Sequence, residues 1–588
     1  MRHHPFPLAP VARSPHLVPS LLLAIVAVGG AARPCAAAQY PGFLPMVTDT
    51  VAVFPTPPLS EPLYLLPVIE PTFGTAVTRI SGEAGTDVGT LGPMWGQIVR
   101  HNYSTQAAWN SASLLLSLDN SGTGLSPVIL NGQTYQPRYA PCPNYRNYDW
   151  RWHPTTAHRN EHINVNREGT ELMWFDVTTC TKTRSWPLPI VANYGIGSSK
   201  GNPSNDGRYV VVANDSQMVV VDMDPQSPHA PYPNQRIGPV YAIPACSLNA
   251  AAPASSPISW VGISPSGKYI DMKFKSVLAP GSTTCDTLCD LHRIFKVNDD
   301  LSIEIQNMPD TALRCGSFKA RPNGWIYPVK HSDMALDPFD DDEDVIMGGR
   351  ACPGASHGRV LKVRMRDGKV TPLTSPMNEP SFSHGSARNL QRPGWFYITY
   401  SSDPSFANRR FQGEVLALKM DGSREVQRFA HYRSTQNPYQ AEAHPVPSPD
   451  GKRVIVASDW CVGAPTPCPN AGQVHAFVVD ARANALLDVP GTPPAPPVAG
   501  REIRLSPPRP NPSFGGFVVH FTLPSSRPAA LEVHDVQGRR VAVHNVGVLG
   551  PGEHTLELDP SRTMPTGVYL VTLTDGRHLR STKAVVVR

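Results

Sequence analysis

The sequence predicts an all-β protein in which a seven-bladed β-propeller is followed by a small immunoglobulin-like β-sandwich. The composition is typical of a turn-rich β protein, because the 588 residues include 64 prolines and 45 glycines and only 17% are charged. A turn followed by a short apolar strand recurs seven times, which is the pattern of repeated blades. A proline-rich stretch then separates the last repeat from a shorter β-rich region.

The clearest repeat opens with the turn Ser448-Pro449-Asp450-Gly451. Proline presets φ, aspartate can bond to its own backbone and glycine tolerates a positive φ, so these residues favour a tight turn. The run 453–457 that follows is largely β-branched and apolar, as expected of a buried strand. The seven turns lie at residues 110–113, 156–160, 204–207, 264–267, 337–344, 389–394 and 448–451. A pair of β-sandwich domains is the alternative, but one motif repeating at one scale favours the propeller.

The N-terminal region has the pattern of an export signal. Basic residues precede an apolar run at 17–28, and the small residues at 36–38 suit cleavage before Gln39, so residues 1–38 are predicted to be a signal peptide. An uncleaved anchor is the alternative, but the apolar run is short for a membrane span. Residues 39–71 are rich in proline and are predicted to pack as an irregular strap.

The remaining domain boundaries follow from composition. Residues 72–488 are assigned to the propeller, 489–500 to a stiff proline-rich linker and 501–588 to the sandwich. Strands are predicted within the sandwich at 517–523, 530–535 and 567–573, with a hairpin turn at Asp575-Gly576.

Four motifs in the last domain resemble one known family. They are PNP at 510–512, VHDVQGRRV at 533–541, TGVYLV at 566–571 and the basic, β-branched end KAVVVR at 583–588. Together they resemble the C-terminal sorting domain of type IX secretion cargo, which is related to the FlgD-like immunoglobulin-like domain. The resemblance implies that the protein is secreted, or held at the cell surface of a Gram-negative bacterium, with the type IX machinery as a partner. The tail would then direct secretion and have no catalytic role.

The cysteines are interpreted in the light of export. If cleavage removes Cys35, nine of the ten cysteines remain, and disulfides are the default in an oxidising compartment. Cys461 and Cys468 flank a loop rich in proline and glycine and are the best candidate pair. The odd count leaves at least one thiol free.

Equivalent positions of successive blades meet near one mouth of a propeller channel, because the innermost strands line that channel. Counting back from each turn places Gln106 near this mouth in blade one. In the later blades it gives the candidate ligand-binding residues His153, Lys200, Trp260, His331, His384 and His444. Trp260 would offer an apolar face to a sugar ring, and Lys200 a cation to an acidic one. The alternative for each histidine is a hydrogen-bonded structural residue.

The three consecutive histidines His331, His384 and His444 are predicted to be metal ligands. Imidazoles from adjacent blades could hold a divalent metal (Mn, Ca or Zn) or act as general bases near neutral pH. Because the three occupy a similar place in consecutive repeats, we expect them to lie within roughly 10 Å of one another.

The segment before the last turn resembles the oligogalacturonate lyase propellers. Those enzymes have a Gln and two His ahead of a Ser-Pro-Asp-Gly turn and bind manganese there. His444 matches the second His, Gln440 is near the Gln position, and Glu442 stands where the first His would be. His384 corresponds to a further His from the preceding blade. The resemblance implies a metal at this end of the channel and action on an acidic polysaccharide.

The leading functional prediction is recognition of a glycan or peptide outside the cell by the propeller. A metal-assisted polysaccharide lyase or hydrolase using His331, His384 and His444 is the alternative from another class, and a purely structural surface protein is the third. The net charge of +5 is small for this length, and there is no basic stripe interleaved with aromatic residues, so nucleic acid is not an expected partner. We expect a monomer.

Overall fold

The computed structural model describes residues 37–587 apart from 39, 41, 144–148, 198–200, 225–235, 244–257, 275–291, 309–323, 352–357, 376–378, 464–467, 469, 484, 486–502, 515, 524–528, 547–551, 559–563 and 575–577. The predicted signal run at 17–28, the linker at 489–500, Lys200 and the turn Asp575-Gly576 therefore lie outside the described residues. No helix within the described residues is long and apolar enough to cross a membrane.

The described residues of the first domain form seven antiparallel sheets, one for each predicted repeat, which confirms the propeller. We number these blades in chain order. Blade one contains Val99–Arg100, Leu115–Asn120, Val128–Asn131 and Pro137–Tyr139, and blade two contains Arg151–Trp152, Glu161–Val165, Glu171–Asp176 and Thr181–Pro187. Blade three contains Tyr209–Ala213, Gln217–Asp222 and Tyr241–Ala242. Blade four contains Ile258–Ile263, Tyr269–Phe274, His292–Val297, Ile303–Ile305 and Trp325–Ile326.

Blades five to seven follow the same antiparallel order. Blade five contains Val329–Asp337, Glu343–Arg350, Val360–Arg364 and Val370–Pro372. Blade six contains Phe382–Ser386, Trp395–Tyr400, Glu414–Lys419 and Val426–His431, and blade seven contains Val446–Pro447, Arg453–Ser458 and His475–Asp480. Short 3-10 helices occupy Gly89–Leu91, Thr156–His158, Pro404–Phe406 and Tyr439–Ala441. The described residues contain no α-helix.

The predicted turns connect the innermost part of each blade to its next strand. In the last turn Gly451 has φ +70° and donates its N–H to the Ser448 carbonyl at 2.8 Å, while the Ser448 hydroxyl lies 2.6 Å from Asp450. A side chain at Gly451 would also clash with the Tyr397 hydroxyl, because a Cβ would come within 2.3 Å of it. The glycine is therefore required both by the turn and by the neighbouring blade.

An N-terminal strand that the sequence analysis did not identify closes the ring. Ala76–Arg79 pairs antiparallel with His475–Asp480 of blade seven, and Val68–Ile69 extends the sheet by one more strand. Met46–Val47 similarly adds to blade six, while residues 48–67 of the predicted strap form no strand. The first and last parts of the propeller thus share one sheet, which removes an exposed sheet edge.

Buried ion pairs fasten the strap to blade six. The Glu70 carboxylate lies 3.0 Å from His431 Nδ1 and 3.4 Å from Arg433 Nη2. His431 Nε2 in turn lies 3.0 Å from the carbonyl of Phe54. Arg428, which is paired with Glu414, donates to the carbonyl of Ala52 at 2.9 Å. These side chains hydrogen-bond to strap carbonyls that lie outside any sheet, as buried backbone groups require.

The predicted disulfide between Cys461 and Cys468 is present, with the two Cα atoms 5.5 Å apart. A second bridge joins Cys142, after blade one, to Cys180 in blade two, with Cα atoms 5.3 Å apart. Nothing in the sequence pattern singles out this pair, because its partners lie 38 residues apart in different repeats. The other cysteines, Cys35, Cys246, Cys285, Cys289, Cys315 and Cys352, lie outside the described residues.

Both linkages can be checked directly. We expect a non-reduced proteolytic digest of the purified protein to contain two cross-linked peptide pairs, Cys142 with Cys180 and Cys461 with Cys468, because each pair has Cα atoms within the usual disulfide range. Mass spectrometry before and after reduction measures this. Alkylation of any of these four thiols without prior reduction would contradict the prediction.

The C-terminal domain is a sandwich of two antiparallel sheets. One sheet contains Arg504–Leu505, Phe517–Leu523 and Gly552–Leu558, and the other contains Arg540–Asn545, Ala530–Asp535, Gly567–Thr574 and Leu579–Val586. The three strands predicted from the sequence are all present. Apolar side chains from both sheets, including Phe521, Val533 and Val571, form a core of the domain's own residues.

Candidate functional site

The three predicted metal-ligating histidines come together where the innermost strands of blades five, six and seven begin. The ring centroids of His331 and His384 are 4.2 Å apart, and those of His384 and His444 are 3.7 Å apart. The expectation that all three imidazoles lie within 10 Å is confirmed. We call His331, His384, His444 and the neighbouring Glu442 the histidine cluster.

Irregular backbone directs these side chains into one place. The pairing register shifts between Lys330 and Asp333 and again between Phe382 and Gly385, so His331 and His384 each lie in a β-bulge. His331 and His444 also have positive φ, at +48° and +44°. Bulges and left-handed residues re-aim side chains and are enriched at functional sites.

Glu442 completes a set of metal-ligating atoms that the sequence analysis did not propose. Its Oε2 lies 3.4 Å from His384 Nε2 and 3.3 Å from His444 Nε2. The ligand atoms of these three residues all lie within 4.8 Å of one another. The carboxylate therefore stands between two imidazoles of adjacent blades and belongs to the cluster.

Blade one contributes a fourth side of the cluster through Tyr103 rather than Gln106. The Tyr103 hydroxyl lies 3.2 Å from His331 Nδ1, and its ring meets His444 edge-on at 4.7 Å. His101 is buried, and its Nε2 hydrogen-bonds the His444 carbonyl oxygen. Gln106 is also buried, and its side-chain amide donates to the Trp150 carbonyl, which indicates a structural role.

Burial lowers the pKa of two imidazoles at this site, those of His444 and His101. Burial, reinforced by His384 and Arg100, lowers the pKa of His444 well below its usual value. Burial also lowers the pKa of His101 to about 3 and raises the pKa of Glu442, although Arg100 opposes the latter shift. Arg100 is held by three backbone carbonyls, those of Gln440, His101 and Asn102, at 2.5, 3.1 and 3.2 Å. Neutral imidazoles retain the lone pairs that metal ligation requires.

The donor set discriminates among the metals expected from the sequence. Two imidazole nitrogens and one carboxylate oxygen suit zinc or manganese, whereas calcium prefers six to eight oxygen ligands. The His444 Nδ1 atom is buried with no hydrogen-bond partner among the described residues. The Nε2 atoms of His384 and His444 both face the Glu442 carboxylate, and these atoms form the candidate site.

Two of the remaining predicted ligand-binding residues, His153 and Trp260, do not join this cluster. His153 is buried and packs against His158 and Trp174 at centroid distances of 4.7 and 4.5 Å. Trp260 is only 1% exposed and lies in a core formed with blade five, edge-on to His292 at 6.1 Å, so no face of its ring is open to a sugar. Lys200 lies outside the described residues. The exposed aromatic ring beside the cluster is instead Tyr439, which is 58% exposed and 6.0 Å from His444.

Comparison with known proteins identifies the tail. Residues 510–588 match the family model described as the secretion system C-terminal sorting domain. The protein is therefore exported by type IX secretion to the surface or surroundings of a Gram-negative cell, and the tail interacts with that machinery. No curated protein matches the chain.

Solved propellers are similar only in broad outline. The β-propeller domain of Cps50 (Swd1) from Myceliophteria thermophila is 9% identical with a TM-score of 0.34, covering 65% of this chain and 97% of that one. Hydrazine synthase from Kuenenia stuttgartiensis is 13% identical with a TM-score of 0.34, covering 67% and 98%. The PQQ-bound aldose sugar dehydrogenase from Streptomyces coelicolor is 11% identical with a TM-score of 0.26, covering 56% and 92%. At these TM-scores the likenesses carry no inference about function.

Proposed function

We propose that the exported propeller recognises an acidic glycan at the histidine cluster, through a divalent cation held by His384, Glu442 and His444. The observation that carries this proposal is the position of the Glu442 carboxylate, within 3.4 Å of an imidazole nitrogen from each of two adjacent blades. A divalent cation held by one carboxylate and two imidazole nitrogens keeps a net positive charge and open coordination positions. A ligand carboxylate is the natural partner for such a centre.

Two further features favour a glycan over a peptide. The exposed Tyr439 ring at the rim of the cluster offers an apolar face with a polar hydroxyl end, which suits a sugar ring. The Tyr103 hydroxyl, on the other side of His444, offers a hydrogen bond to a ligand hydroxyl. In this proposal Tyr439, and not Trp260 as expected from the sequence, stacks against the sugar ring.

Binding to soluble polymers tests this function. We expect the full-length protein, loaded with Mn²⁺ or Zn²⁺, to bind polygalacturonate and not neutral dextran. Both a chelator and Glu442→Gln should raise the dissociation constant at least tenfold, because each removes the cation. Isothermal titration measures the affinity, and Glu304→Gln, which changes an exposed carboxylate on blade four, is the matched control.

The outcomes separate the alternatives. Binding of polyglutamate in place of polygalacturonate would overturn the glycan assignment in favour of a peptide. Metal-independent binding, or equal affinity in Glu442→Gln and Glu304→Gln, would overturn the role of the cluster.

A metal-assisted polysaccharide lyase or hydrolase is the second candidate function, and the Tyr103–His331 pair favours it. The hydroxyl and the imidazole are 3.2 Å apart, a geometry that allows proton transfer beside the ligand carboxylate. In a lyase step this pair would take the proton from the carbon next to the sugar carboxylate. The released electron pair would form a carbon–carbon double bond as the glycosidic C–O bond breaks, and the leaving oxygen would take up a proton.

Product analysis tests the enzymatic candidate. Incubation with polygalacturonate should release unsaturated or reducing ends. Tyr103→Phe should slow that release about 10²–10⁴-fold, whereas glycan affinity should fall only by the contribution of one hydrogen bond, about 0.5–1.5 kcal/mol. Absence of product from a metal-loaded protein that binds the polymer would remove the enzyme and leave recognition standing.

A further inference from the structure

A second pocket lies at the far ends of the innermost strands from the histidine cluster. It contains about 500 Å³ of space, part of it open to solvent. Its walls come from the turn-side ends of blades one, two, three, six and seven, including Trp109, Trp152, Asn202, Arg388 and Pro449. None of the four residues of the histidine cluster lines this pocket. The pocket is therefore separate from the cluster.

Aromatic and proline side chains give this pocket apolar walls. The Trp109 and Trp152 indole N–H groups already donate to the carbonyls of Gly132 and Ala108, at 3.1 and 3.0 Å. Their rings consequently offer the pocket only apolar surface. Pro154, Pro203 and Leu390 extend that surface.

The polar part of the pocket centres on Arg388. This guanidinium is nine-tenths buried and uses Nε and Nη2 to bind Asp333, both at 3.0 Å, with a further bond to the Met334 carbonyl at 2.8 Å. Its Nη1 makes no hydrogen bond within the described part of the chain. An arginine fixed on one edge and unused on the other is preorganised to donate to a planar acceptor.

The other polar side chains leave this donor without competition. Gln391 and Asn202 use their amide nitrogens on the carbonyls of Ser111 and Thr105, at 2.7 and 2.8 Å. The backbone N–H of Thr155 donates to His153 Nδ1 at 3.2 Å, so Nε2 carries the proton of the neutral ring. That Nε2 is buried without a hydrogen-bond partner among the described residues. Among the described residues no acidic side chain lines the pocket, and the Asp333 carboxylate behind Arg388 is already engaged by that guanidinium.

We propose that this pocket binds a small apolar carboxylate, whose hydrocarbon part contacts the half-buried Pro154 and Leu390 above the buried Trp109 and Trp152, and whose carboxylate accepts from Arg388 Nη1. The unused guanidinium edge of Arg388 favours a planar carboxylate acceptor, and the apolar walls favour a hydrophobic body. The C-terminal residue of a peptide and a free aromatic acid share this chemistry.

Titration of the full-length protein in excess chelator tests the proposal, because the chelator removes any cation from the histidine cluster. The probes are N-acetylphenylalanine, its C-terminal amide, 3-phenylpropanoate and methyl glucoside. We expect at least one of the two acids to bind, and to bind at least tenfold more tightly than the amide or the glucoside. Preference for N-acetylphenylalanine indicates a peptide terminus, and preference for 3-phenylpropanoate a free acid.

Two variants locate the binding. Gln391→Glu places a negative charge beside the ligand and should weaken acid binding at least tenfold, whereas Ala107→Leu should weaken it by filling the pocket. Gln133→Glu is the matched control, because Gln133 donates to the Ser113 carbonyl at 2.8 Å outside the pocket. An unchanged melting temperature shows that each variant is folded. Equal affinity for acid and amide, stronger binding of the glucoside, absence of acid binding, or affinities unchanged in both pocket variants would overturn the proposal.

Discussion

A chain ending at residue 500 is expected to accumulate inside the cell envelope instead of reaching the cell surface or the medium. Residues 510–588 match the secretion sorting domain, and their sandwich has a core of its own residues. The propeller closes through a strand from its own N-terminal side, Ala76–Arg79, so it needs no strand from the tail. The truncated propeller should therefore fold normally and lose only its secretion signal.

Cell fractionation in the native host measures this effect. The full-length chain should appear outside the cell, and the truncated chain in the envelope fraction with an unchanged resistance to protease. Fusion of residues 501–588 to an exported reporter is the converse control and should carry the reporter outside. Normal export of the truncated chain would contradict the role of the tail.

Replacement of Glu70 by alanine should destabilise the propeller by about 3–5 kcal/mol, because it leaves His431 and Arg433 buried without their carboxylate. The backbone N–H groups of Thr72 and Phe73 also lose an acceptor, at 2.7 and 2.8 Å. Denaturant unfolding monitored by tryptophan fluorescence measures the loss. Glu304→Ala, which removes an exposed partner of Lys296, should cost less than about 1 kcal/mol.

The Glu70 effect should also depend on pH. Burial opposes ionisation, but the hydrogen bond and charge of His431 outweigh it, so the pKa of Glu70 is lowered from 4.5 on folding. A lowered folded-state pKa means that the carboxylate contributes fully above pH 4.5 and that this contribution is lost as the pH falls through the folded-state value. The stability difference between wild type and Glu70→Ala should therefore shrink in acid. A difference that grows below pH 4.5 would contradict this assignment.

The blades could be predicted because their turns are local signals. A proline, an aspartate and a glycine at fixed places specify a tight turn without reference to the rest of the fold. The closing strand Ala76–Arg79 carries no such signal, and its partner His475–Asp480 lies at the other end of the domain. Pairing between distant segments depends on the complete ring, so a single short strand cannot reveal it.

The histidine cluster could be predicted only in part for a related reason. His331, His384 and His444 stand at similar offsets from their turns, so counting along the blades brings them to one mouth. Glu442 lies two residues before His444, so the two side chains fall on one face of an extended segment, but counting from each turn selected only one position per blade. Trp260 was assigned wrongly because its strand has an irregular register between Ile258 and Trp260, which counting along the chain does not detect, and its indole lies in the core shared with blade five.

The metal content of the purified full-length protein tests the central claim most directly. After equilibration with Mn²⁺ or Zn²⁺ and removal of free ion, elemental analysis should find one ion per chain in wild type and in the control His520→Ala, which changes an exposed histidine of the sandwich. Glu442→Gln and His444→Ala should each retain almost none, because His384, Glu442 and His444 supply all three proposed protein ligands. A wild-type protein without metal, or full occupancy in both cluster variants, would contradict the account.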